Sequence, residues 1–215
     1  MKGVYIVVEG IDGAGTTTHA RLLVEKLSAL GEPVEYVQEP STGPIGRLIK
    51  RLLAEHLYDQ EVYALLFAAD RLHQYRTRVE GLLAGGVHVV SCRSVVSSLA
   101  YQSMDGDELV EWILTLNKYI PLPDVVVYLN VPLEVALARI ARRRGVRDVF
   151  EKPGFLRELR SRYAEILRLL ERCFRVTVIR VDEAPGGLVR SVEDVHREVV
   201  VKVLAAINYL RGVWA

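Results

Sequence analysis

The stretch that decides the fold is "VEGIDGAGTTTHA", residues 8–20. Phosphate-binding loops are spelled G-x-x-x-x-G-K-[ST], and Gly10, Gly15 and Thr17 stand at the right spacing. Position 16, where the pattern asks for Lys, is Thr. Context makes the match more than a coincidence of glycines. "VYIVVEG" (4–10) before it is a short apolar, β-branched run, as in a strand buried on both faces. After it Ala20, Leu23, Leu27 and Leu30 recur at helical spacing until Gly31 and Pro33 stop the pattern. A buried strand, a glycine loop and a helix start together make an anion site. Amides from about Gly13 to Thr17 form a concave nest, and the helix end adds about half a positive charge. Replacing Lys at 16 leaves those amides in place and removes one mobile ammonium, about 1.5–3 kcal/mol of charged hydrogen bonding. The alternative is a ligand-free strand-to-helix turn.

The rest of the chain repeats the alternation. "VEYVQ" (34–38), "VHVVS" (87–91), "DVVVYLN" (124–130) and "RVTVIRV" (175–181) read as four more strands. Helical segments are expected over about 45–56 and 60–84, from Pro132 onward, from Pro153 to about Arg172, and after a capping signal at Ser191 and Asp194. Strands separated by helices imply βαβ units and a mostly parallel sheet, in one α/β domain spanning 1–215. The 215 residues are half hydrophobic, with a net charge of +1 that excludes a chain-wide basic field for nucleic acid. Six of the 28 basic residues are Lys and the rest Arg, the side chain suited to bidentate phosphate contact. Two cysteines, Cys92 and Cys173, give neither a metal spacing nor a disulfide framework. With no signal-peptide pattern and no run approaching a membrane span, the expectation is a cytoplasmic protein without membrane partners.

Four further segments carry a resemblance. "EGIDGAGTTT" is similar to the "EGIDGAGKTT" opening of thymidylate kinases. "LLFAADRLHQ" (65–74) resembles that family's monophosphate site, and "SCRSVVSSLAYQ" (91–102) its "DRY…SSLAYQ" segment. "PDVVVYLNVPLEVALARI" (123–140) looks like its fourth strand and following helix, and "RRRGVRDVFE" (142–151) lies where it has an Arg-rich lid. The resemblance runs in order from residue 3 to about 163 and implies a three-layer P-loop NTPase fold: a five-stranded parallel sheet flanked by helices, plus a small Arg-rich lid at about 142–152. It implies phosphorylation of dTMP by ATP with Mg²⁺ as cofactor, and a homodimer formed through a helical face such as 60–84. The alternatives are a kinase for another deoxynucleoside monophosphate such as dUMP, and a nucleotide-binding pseudo-kinase.

Residue by residue, the resemblance gives Gly10, Ile11, Asp12, Gly13, Ala14, Gly15, Thr16, Thr17 and Thr18 to ATP and the Thr17 hydroxyl to Mg²⁺. Phe67 stacks on the base, or else is plain core. Arg71, one turn later on the same face, donates to a base carbonyl, or else makes a surface ion pair. Arg93, following a strand where open α/β sheets place ligands, clamps the acceptor phosphate. Ser97 and Gln102 lie near the base. Tyr101 crowds the sugar 2′ position, or else packs. Asp12 approaches the acceptor, or else makes an Asx turn. Of the lid residues Arg142, Arg143, Arg144 and Arg147, Arg143 and Arg147 are the catalytic candidates beside Arg93 and Asp12, because the loop itself holds no Arg. The adenine is placed near Asp182 to Pro185.

The chain departs from the family in three places. Thr16 replaces Lys, Cys92 replaces the Asp of an Asp-Arg pair, and no Arg stands beside Glu39-Pro40, where Arg47 is the nearest stand-in. One cation and one anion are lost together, so the local charge balance is kept, but spacing alone identifies no compensating residue.

Overall fold

The computed structural model describes residues 2–55, 59–104, 106–142 and 152–213. Five strands form a single sheet: β1 (Tyr5–Glu9), β2 (Val34–Gln38), β3 (His88–Cys92), β4 (Val125–Asn130) and β5 (Thr177–Asp182). Their order is β2-β3-β1-β4-β5, and every neighbouring pair is parallel. β1 and β3 are buried along their whole length, which is why their sequences are apolar runs rather than alternations. In register Val8 lies opposite Cys92 and Glu9 opposite Tyr128, so the loop after β1 and the turn after β3 leave the same edge of the sheet side by side.

Helices flank the sheet: α1 (Thr16–Ala29), α2 (Pro44–Ala54), α3 (Gln60–Gln74), α4 (Glu80–Ala84), α5 (Val95–Tyr101), α6 (Glu108–Leu116), α7 (Leu133–Arg142), α8 (Pro153–Phe174) and α9 (Val192–Val213). Ser191 accepts the Asp194 amide at 3.1 Å and donates to its carboxylate at 2.8 Å, so the capping signal of α9 is formed.

The helices differ from the expectation in two respects. The helix expected over 60–84 contains one π-helical turn, Tyr75–Val79, between α3 and α4. Helices α5 and α6 escaped the sequence reading. Val95-Val96 is β-branched and the serines around it are weak helix formers, so the available signal was Ser94, whose Oγ caps the Val96 amide at 3.1 Å. Arg142, where the expected lid begins, is the last residue of α7, and Arg143, Arg144 and Arg147 lie outside the described residues.

Candidate active site

The glycine loop joins β1 to α1 and has the backbone that its residues demand. Gly15 sits at φ 82°, a left-handed conformation that side chains rarely adopt. Gly13 lies against α7, where a Cβ would stand 2.5 Å from the Ala136 carbonyl oxygen. No side chain caps α1, and its first turn carries no acidic residue, so the helix opens with uncompensated amides. The Ala14 amide is already spent on the Ile11 carbonyl at 3.1 Å. Of the nine loop residues assigned to ATP, Asp12, Gly13, Gly15, Thr16, Thr17 and Thr18 line a cavity of about 460 Å³. Gly10, Ile11 and Ala14 are buried and do not line it. The same cavity is lined by Cys92, Arg93, Arg139 and Ile140.

A second cavity, of about 180 Å³, opens beside the first and is lined by Asp12, Glu39, Phe67, Arg71, Arg93, Ser97, Tyr101 and Gln102, among others. All seven residues assigned to the acceptor from the sequence are in it. Asp12, Glu39 and Arg93 line both cavities and form their common wall.

Arg93 organises this wall. It follows β3 directly and has φ 74°, unusual for a residue with a side chain and typical of backbone held in place for a site. Its guanidinium donates to the Gly10 carbonyl, to Tyr163 Oη at 2.9 Å and to Asp12 Oδ1 at 2.9 Å, and lies over the ring of Tyr101. Asp12 makes no Asx turn; its other oxygen accepts from Tyr101 Oη at 3.0 Å. Behind Arg93 lies Glu9, fully buried, which accepts from Ser94 Oγ at 2.7 Å, Ser97 Oγ at 2.6 Å and Tyr163 Oη at 3.0 Å. Burial pushes the Glu9 carboxyl up; Arg93 and the three hydroxyls pull it back. Glu9 and Tyr163 were missed in the sequence, one hidden in a strand and the other distant on α8.

Arg71 makes no surface ion pair. At 3% exposure it forks onto Glu39, with Nε at 2.9 Å from both carboxylate oxygens and Nη2 at 2.7 Å from Oε2. Nη1 donates to Asn117 Oδ1 at 2.6 Å, and Nη2 also to Ser98 Oγ at 2.9 Å. Burial raises the Glu39 carboxyl's pKa, and Arg71 opposes the shift. Next to this pair, Asp70 holds the Ser41 amide at 2.7 Å and hydroxyl at 2.6 Å, tying α3 to the loop after β2. Phe67 is half-buried, one turn before Arg71, with its ring 6.2 Å from that of Tyr63. Arg47, the nearest stand-in beside Glu39, is exposed, donates to the Thr42 carbonyl at 2.8 Å and lines neither cavity.

The metal question turns on Thr17. Its side chain is exposed in the larger cavity, with Oγ1 3.5 Å from Cys92 Sγ. Among the described residues no group of three or more His, Cys, Asp or Glu could hold a metal ion. A hydroxyl supplemented by phosphate oxygens and water suits Mg²⁺, which keeps much of its hydration and needs few protein ligands. The residues therefore fit a nucleotide-borne Mg²⁺ rather than a protein-caged ion. Among the described residues no helix is long and apolar enough to cross a membrane.

Comparison with known proteins matches this arrangement to a family. The family model described as thymidylate kinase matches residues 8–183. A chain from Aeropyrum pernix, provisionally named a thymidylate kinase, is 42% identical over 209 residues, 96% of this chain and 99% of its own length. A "Probable thymidylate kinase" of Methanococcus aeolicus is 35% identical over 93% of this chain and 95% of its own. A solved thymidylate kinase structure from Candida albicans shares the fold, with a TM-score of 0.76 over 98% of this chain and 93% of that one, at 23% identity. The matched span runs from the end of β1, through both cavities, to the residue after β5, and on that basis this chain belongs to the thymidylate kinase family of nucleoside monophosphate kinases.

Proposed function

We propose that the protein transfers the γ-phosphoryl group of ATP to the 5′-phosphate of dTMP. The observation that carries this reading is the pair of cavities meeting at one wall. One cavity is floored by phosphate-loop backbone, the other carries an aromatic ring, and Arg93 stands between them. An acceptor phosphate is already nucleophilic, so the work is alignment and charge neutralisation. The amides opening α1 hold the donor phosphates, Arg93 faces the phosphates that meet at the wall, and Asp12 orients Arg93. Phe67 stacks on the base, and Ser97 and Gln102 face its polar edge. The guanidinium of Arg71 has one Nη1 hydrogen left for a base carbonyl once Glu39, Asn117 and Ser98 are served. Tyr101, held on Asp12, walls the sugar. Thr17 would hold Mg²⁺, which when bound neutralises charge on the transferring phosphate. Arg143 and Arg147 keep the catalytic role that the family resemblance gives them, and the adenine keeps its place near Asp182 to Pro185.

The assay is ADP formation by purified protein with ATP, Mg²⁺ and a panel of monophosphates. Turnover with dTMP, and little with cytidine or guanosine forms, supports the proposal. Equal turnover with dUMP makes the base preference relaxed, since one methyl discriminates by only about 1–3 kcal/mol. Tight nucleotide binding without turnover makes the protein a pseudo-kinase. For the homodimer, the exposed apolar residues Val62 and Leu65 on α3 support an interface there, and light scattering at working concentration tests it.

A further inference from the structure

Thr16 leaves the phosphate loop without its own cation. Its side chain is almost buried, and its Oγ1 is 3.7 Å from Cys92 Sγ, so it contributes packing rather than charge. Among the described residues lining the donor cavity, the positively charged ones are Arg93 and Arg139. Arg93 is committed to Gly10, Asp12 and Tyr163, with its side chain 14% exposed. Arg139 is placed differently. Helix α7 rests on the loop through the Ala136 carbonyl at Gly13, and Arg139 is one turn further on. Nη2 is anchored on Glu183 Oε2 at 2.8 Å, while Nη1 reaches the Gly13 carbonyl at only 3.3 Å. The side chain is 34% exposed, so one end is fixed and the other is loosely held over the loop.

Glu183 supplies the second observation. It is 1% exposed, yet its Oε1 has no hydrogen-bond partner. A buried carboxylate with half its capacity unused is costly, unless a second N–H can reach it in another state. The planar guanidinium provides one: Nε and Nη2 can fork onto both Glu183 oxygens, leaving both Nη1 hydrogens free.

We propose that Arg139 supplies the cation missing at position 16, with its guanidinium, held by Glu183, exchanging the Gly13 carbonyl for the terminal phosphates of a bound nucleoside triphosphate. This rests on the kinase reading above for the identity of the ligand, and Thr16, Arg139 and Glu183 act in it as one unit. A merely structural Arg139, clamping α7 to the loop, is the competing account.

The test measures ATP and AMP binding calorimetrically without acceptor, then turnover with dTMP, for the parent, Arg139→Ala, Thr16→Lys and the double variant. Arg139→Ala should weaken ATP by about tenfold to a hundredfold, the range of one charged hydrogen bond, and leave AMP nearly unchanged. Thr16→Lys should restore most of that loss in the double variant while adding little to the parent. Unchanged ATP affinity in Arg139→Ala, an equal loss for ATP and AMP, or no rescue by Lys at 16 would each overturn the proposal. If Arg139→Ala does not fold, Arg139→Gln keeps a donor for the Gly13 carbonyl without the charge, and the same ATP-over-AMP loss is required of it. A parent that binds ATP but does not turn over dTMP counts against the acceptor assignment and leaves the binding test of Arg139 standing.

Discussion

Replacing Glu39 by Gln tests whether the acceptor cavity is built around a neutralised arginine. The parent carboxylate takes three contacts of 2.7–2.9 Å from Arg71, both side chains being almost wholly buried. An amide of the same shape keeps one acceptor and turns an NH₂ toward a guanidinium that cannot lose its proton. Removing one partner of a buried ion pair costs about 3–5 kcal/mol. Asn117 and Ser98 still accept from Arg71, which places the expected loss at the lower end, near 3 kcal/mol. For a chain of this size each kcal/mol moves the midpoint by about 2–4 °C, so Tm should fall by roughly 6–12 °C. Calorimetry measures that drop, and steady-state kinetics should show KM for dTMP rising at least tenfold as Arg71 loses its orientation. The double variant Glu39→Gln/Arg71→Met should recover part of the stability and none of the affinity. A Tm within about 2 °C of the parent together with an unchanged KM would refute the reasoning, since Arg71 would then need no buried counter-charge.

Phe67→Ala should raise KM for dTMP by roughly 5- to 150-fold through loss of about 1–3 kcal/mol of stacking, with a smaller effect on Tm, read by kinetics and melting together. His19, buried under the loop, has its pKa lowered to about 4 from 6.5 by burial, then by His196 and Arg139. Between those values the unfolded chain holds a proton that the folded one does not, so this residue makes stability fall as pH drops from about 6.5 to 4. Denaturant midpoints across that window should fall less steeply for His19→Gln than for the parent. Gly13→Ala should destabilise by about 1–3 kcal/mol and weaken ATP binding, because a methyl group there meets α7 and the backbone sits at φ 83°. Leu65→Glu should convert a dimer to a monomer by light scattering if α3 forms the interface, without altering Tm measured on the monomer by more than about 0.5 kcal/mol equivalent.

The parallel sheet was legible because β1, β3 and β4 are apolar runs bounded by turns, whereas the residues that share the smaller cavity came from the family resemblance, spacing adding only that Phe67 and Arg71 lie one turn apart. Residues whose roles depend on distant partners were not legible. Glu9 reads as an odd carboxylate ending a hydrophobic strand, and only the fold brings Ser94, Ser97 and Tyr163 onto it. Glu39 was quoted as part of a loop, yet its role comes from α3, 32 residues on. Arg139 lay inside a quoted segment and was given no role of its own, since its meeting with Gly13 spans 126 residues. Spacing finds groups that act along one element; it is blind to those that act across the sheet edge.

The widened turn at Tyr75–Val79 has a consequence of its own. Arg71, Tyr75, Val79 and Leu83 follow one another at four-residue steps, a spacing that would wind progressively around a regular helix. A turn of more than four residues absorbs that winding, so one continuous rod can present Arg71 to the nucleotide cavity and still seat Val79 and Leu83 in the core. Removing one residue from 76–78 would bring Val79 to seven and Leu83 to eleven positions after Arg71, the spacing of one face of a regular α-helix, so the wide turn is what accommodates a surplus residue without displacing either end.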